Sequence, residues 1–66
     1  MIEIFETNSL GRRTQVATAP DFIAAKALVE AMGVAFMEDD EDHTDCADAY
    51  LNDGRIVAIQ PVGFTL

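Results

Sequence analysis

The chain has 66 residues, half of them apolar, and four basic side chains against twelve acidic ones give a net charge of −8. That length allows one domain with a thin core, because so short a chain hides roughly 60% of its unfolded surface, too little for a deep catalytic cavity. The charge excludes direct binding to DNA, RNA or membrane surfaces, while the apolar fraction and a mean hydropathy of +0.14 exclude an intrinsically disordered chain.

Residues 1–7 read as a strand, with Ile2 and Ile4 on one face and Glu3 alternating with them. Asn8, Ser9, Leu10 and Gly11 form a turn cluster, and residues 12–18 read as a second, more polar strand. The two strands are expected to pair as an antiparallel hairpin, with Arg12 and Arg13 beside Glu3 or Glu6. A helix follows. Thr18, Ala19, Pro20 and Asp21 resemble a capping box with Thr18 at the cap. Phe22, Ala25, Leu28, Val29 and Met32 recur at helical spacing as one apolar stripe, and Gly33 suits the C-terminal stop. Lys26 and Glu30 lie four apart on the other face, where Ile23 is an isolated exposed apolar residue.

Residues 34–37 predict a third strand. In 45–51, Ala47, Ala49 and Leu51 alternate with Cys46, Asp48 and Tyr50, which predicts a strand; a short helix started by Thr44 is the alternative. Asn52, Asp53 and Gly54 are a hairpin-turn signal, and 55–60 is a strand rich in Ile and Val. Pro61 either ends regular pairing or confines that strand to an edge, and residues 62–66 are expected to lie back on the core. The expected fold class is α+β: a single small domain spanning 1–66, with a mostly antiparallel sheet of four to five strands and one helix on one face, in the order β-β-α-β-β-β. Val29 and Phe36 are assigned to its core, where truncation to Ala costs on the order of 1–4 kcal/mol.

The single cysteine forms no internal disulfide, the first six residues lack the pattern of a secretory signal, and no apolar run approaches the ~20 residues that span a bilayer. The expected location is the cytoplasm.

Residues 38–48 hold seven carboxylates, Glu38, Asp39, Asp40, Glu41, Asp42, Asp45 and Asp48, without one Lys or Arg. An unpaired ion in a dry interior costs several kcal/mol, so this stretch must face solvent or a cationic partner. Calcium is one candidate, but EF-hand spacing fails: counted from Asp40, Asp45 stands at the glycine position and Leu51 at the bidentate one. A weak divalent site stays open as an alternative. His43 and Cys46 lie three apart and would need Asp42 and Asp45 to complete a zinc set. As a thiol nucleophile, Cys46 is opposed by its acidic neighbours, which raise a thiol's pKa. No catalytic residue, metal or cofactor is therefore expected.

The acidic run suggests nucleic-acid mimicry. Along an extended segment, residues i and i+2 lie roughly 6.6 Å apart on one face, an interval comparable with successive phosphates of one strand. Asp39 and Glu41 on one side, with Asp40 and Asp42 on the other, would then engage Arg and Lys side chains that normally hold a backbone. On this argument the seven carboxylates are the partner-binding residues. A strongly acidic chain under 70 residues, without catalytic motifs, resembles the small phage anti-CRISPR proteins, most of all inhibitors of type I (type I-C) complexes. The resemblance implies a Cas protein of a type I surveillance complex as partner, occupied where it holds target DNA or reads the PAM. The chain itself is expected to be a monomer or weak dimer. The alternative is a small protein-interaction module, antitoxin-like or a regulatory subunit, whose acidic loop is solvated surface.

Overall fold

The structure, a computed structural model, describes residues 1–42 and 45–63. Strands β1 (Ile2–Thr7) and β2 (Arg13–Ala19) form the first hairpin. Its turn is built by Asn8, whose Oδ1 accepts from the Leu10 and Arg12 amides at 2.9 and 3.0 Å, and by Gly11 at φ 81°. A bulge between Ile4 and Phe5 breaks the register, so that Ile4 pairs with Ala17 and Phe5 with Gln15.

Helix α1 (Phe22–Glu30) is capped by Asp21, whose Oδ1 accepts from the Ala24 amide at 2.8 Å. The expected Thr18 cap is not used, because β2 holds the backbone extended through Ala19. Ala25 and Val29 are buried, with Phe22 and Met32 packed at the margin, whereas Leu28 is 46% exposed and leaves the expected stripe. Lys26 turns to Asp39 instead of Glu30. Gly33, at φ 92°, reverses the chain after the helix and accepts from the Asn52 amide at 2.9 Å.

Strands β3 (Val34–Asp39), β4 (Ala47–Leu51) and β5 (Ile56–Pro61) complete one antiparallel sheet in the order β2-β1-β5-β4-β3. Residues 47–51 are strand, which settles the alternative of a short helix. The α+β class and the β-β-α-β-β-β order stand as expected. β5 is the central strand, so Pro61 does not mark an edge; it ends the strand beyond the last β4 partner, at Ile59, where no N–H is required. The helix joins β2 to β3 at opposite edges and so crosses the sheet on one face only. No helix among the described residues is long and apolar enough to cross a membrane.

The covered face supplies the core: Ile2, Ile4, Ala47, Ala49, Leu51, Val57 and Ile59 are buried against Ala25 and Val29. The other face is open. Phe36 lies there, 57% exposed, in contact with Tyr50 at a ring-centroid distance of 5.9 Å. Its assignment to the core is thus corrected: the irregular register between Val34 and Phe36 shifts the phase of β3, and Met37, paired with Ala49, packs on the core instead. Arg13 also lies on the open side, its guanidinium 4.8 Å from the Phe5 ring centroid and its Nη2 donating to Gln60 Oε1 at 3.0 Å. Glu6 pairs with Arg55 at 3.2 Å and not with a hairpin arginine. Val62 is 51% exposed, and Phe64, Thr65 and Leu66, expected on the core, lie outside the described residues.

Candidate functional site: the acidic hairpin

The β3–β4 hairpin gathers the acidic run at one corner. Glu38 pairs in register with Asp48 and Asp39 with Ala47, and the Asp40 amide extends the ladder by donating to the Cys46 carbonyl at 3.1 Å. Strand alternation then separates the carboxylates. Asp48 shares the open face with Tyr50, because Ala47, Ala49 and Leu51 are taken by the core, and register places Glu38 beside Asp48. Asp39 falls on the helix side, where Lys26 Nζ reaches it at 3.1 Å while lying 5.1 Å from the Phe22 ring centroid. So exposed a pair contributes at most about 1 kcal/mol. It decides, however, where Asp39 points.

The extended row expected through Asp42 stops at Asp39. Beyond it the Asp42 amide donates to Asp40 Oδ1 at 2.8 Å, a bond two residues apart that bends the chain. Asp40, Glu41, Asp42 and Asp45 are exposed on this bend. All seven expected partner-binding residues are therefore at the surface of one hairpin, although they face more than one direction. His43 and Thr44 lie outside the described residues.

Charge repulsion within the hairpin is real. Directly opposed like charges such as Glu38 and Asp48 destabilise a strand pair. Lys26 meets the hairpin through Asp39, whereas Arg55 is held by Asp53 and Glu6 at the far end of the sheet. A bond from the Arg55 amide, then its side chain, holds the Asp53 carboxyl below its ordinary range. At the root of the hairpin Cys46 is buried, and its thiol pKa is raised by burial first and then by Asp40, Asp45 and Asp48. This environment disfavours a thiolate. Among the described residues no three His, Cys, Asp or Glu side chains converge as metal ligands.

A shallow, open depression lies beside the hairpin, lined by Glu38, Asp40, Asp48, Ala58 and Gln60 among others. Ala58 and Gln60 were not among the expected contact residues. The signal for them was long-range pairing, which joins β4 to β5 only in three dimensions. Lys26 was likewise hidden, because its partner lies thirteen residues away. Comparison of the chain with family models, with curated proteins and with solved structures returned no match.

Proposed function

We propose that the chain is an acidic inhibitor that occupies the basic nucleic-acid-binding surface of a partner by DNA mimicry, as an anti-CRISPR that blocks target DNA or PAM recognition by a type I surveillance complex. The observation that supports this reading is the exposure of Glu38, Asp39, Asp40, Glu41, Asp42, Asp45 and Asp48 on a single hairpin. Carboxylates brought together this way repel one another, and a groove lined with arginine relieves that repulsion while gaining charge-assisted bonds. The geometry that suits such a groove is a cluster two strands wide and not a linear row: the bend at Asp40 and Asp42 replaces the extended phosphate-like spacing.

Binding to a purified type I surveillance complex, with and without a target duplex, tests this reading. Mimicry requires mutual exclusion with DNA and an affinity that falls steeply with salt. Reversing Glu41, Asp42 and Asp48 to Lys should abolish binding without unfolding the protein. Simultaneous binding of protein and duplex to the complex would refute the reading. One observation favours the second reading, an interaction module with a solvated acidic loop: the apolar side chains Phe36, Tyr50 and Ile56 on the open sheet face. In that case the same charge reversal leaves partner binding intact.

A further inference from the structure

The open face has an order across the strands that the acidic run alone does not explain. One transverse row reads Glu38, Asp48, Ala58, Phe5 and Gln15, from β3 through β4, β5 and β1 to β2. The neighbouring row reads Phe36, Tyr50, Ile56, Thr7 and Arg13. Both rows are centred on β5, with Ala58 and Ile56 at their midpoints. Within these two rows the carboxylates stand on one side of that centre; Glu3, on the same face beyond Phe5, lies in the next row on the other side. On the other, Arg13 lies over Phe5 and bonds Gln60, which places a guanidinium in the first row, on the opposite flank from Asp48.

We infer that this face binds a second copy of the chain, sheet against sheet, about a two-fold axis running along β5. Such an axis exchanges the flanks of the row: Arg13 of each copy comes over Asp48 and Glu38 of the other, and Ile56 and Ala58 meet their own counterparts. A two-fold interface requires this self-complementarity, in which one residue meets a second and the second meets the first. Sheets pack face to face at about 10 Å, and the small Ala58 at the centre permits the approach. Phe36, Tyr50 and Ile56, which are 57%, 40% and 40% exposed, are covered in the pair. Five strands at about 4.8 Å and six residues at about 3.3 Å give a face roughly 24 by 20 Å, which falls at the low end for specific association. The pair is therefore weak and concentration-dependent. Each copy carries a net charge of −8, so salt strengthens the pairing by screening repulsion between the copies, the opposite sign to DNA mimicry.

Sedimentation equilibrium of the intact protein over a wide concentration range, at low and high salt, provides the test. The expected result is a mass rising from 7.2 kDa toward twice that value, with the rise steeper at high salt. Ile56→Arg, which sets a charge against its own copy on the axis, should hold the protein monomeric. Arg13→Glu and Asp48→Arg should each weaken association by roughly tenfold or more, and the double exchange should restore it. Within one chain the two positions stand three strands apart, about 14 Å, so rescue reports a contact between copies. Circular dichroism melts verify that each variant is folded. A protein that stays monomeric at every concentration and salt overturns the inference, as does a dimer indifferent to Ile56→Arg or not rescued by the exchange. Competition with DNA is read separately, at concentrations where the protein is monomeric, because the pair covers Glu38 and Asp48.

Discussion

The two faces of the sheet are made by the same strands, but they differ in composition and have opposite fates. On the covered face Ile4, Val57 and Ile59 are at most 1% exposed, held under Ala25 and Val29. On the open face Phe36, Tyr50 and Ile56 remain substantially in water. The difference shows that strand alternation marks one face as apolar and the crossover helix covers that face, whereas the apolar side chains interspersed among charges on the other face stay exposed. Stability therefore rests on one face and leaves the other available for recognition.

The largest effects should come from the covered face. Ile59→Ala should cost about 2–4 kcal/mol through lost burial and a cavity, and Val29→Ala somewhat less. Phe36→Ala, on the open face, should cost under about 1 kcal/mol, as surface substitutions do. Urea unfolding of the three variants measures the contrast, and equal losses would abolish the distinction between the faces. Next in size is Gly33→Ala, which forces a side chain to φ 92° with Asn52 Nδ2 3.6 Å from the new Cβ. A left-handed conformation costs a non-glycine residue about 1–2 kcal/mol. Asp21→Ala, which removes the helix cap, should cost about 1 kcal/mol in the same assay.

Smaller effects sharpen the account of the acidic corner. Glu38→Gln should raise stability by a few tenths of a kcal/mol by removing the repulsion across from Asp48. Added salt should stabilise the wild type more than this variant, and a variant less stable at every ionic strength would contradict the repulsion argument. The smallest effect is at Asp53. Its folded pKa is depressed, so its contribution is present above the ordinary carboxylate range and lost as pH falls through the lower folded value. Asp53→Asn should remove that part of the acid sensitivity, as read from melts taken across low pH. Cys46 has the opposite sign. Its folded thiol pKa is raised, so its contribution is intact below the ordinary thiol range and fades as alkaline pH ionises it. Alkylation of the folded protein at mildly alkaline pH should accordingly be slower than that of the unfolded chain.

Much of this architecture was legible in local pattern. Ala47, Ala49 and Leu51 alternate with Asp48 and Tyr50, which identifies both the strand and its buried side. The same alternation put Tyr50 on the face of a carboxylate, and hence toward solvent. Phe36 misled because an irregularity in pairing between Val34 and Phe36 breaks the period on which the pattern depends. The helix cap misled for a different reason: Thr18 and Asp21 are both competent caps, and the length of β2 chose between them. In the acidic run, exposure was dictated by the cost of burying charge, but direction was not. Asp39 turned toward Lys26, thirteen residues away, through a contact that no local spacing encodes, while the bend at Asp40 is a local bond to the amide two residues on that competes with the extended chain.

The sequence by itself determined the succession of strands and helix, the positions of the turns, the solvation of the seven clustered carboxylates and most of the buried set, because each follows from local periodicity or from the hydration of charge. Only the tertiary structure decided that β5 is central, that one face alone is covered, and that the Arg13 guanidinium reaches the row of Ala58 and Asp48. Those features arise from pairings between strands remote in sequence, where the choice among partners is made by burying the whole sheet at once and not by any segment's own preference.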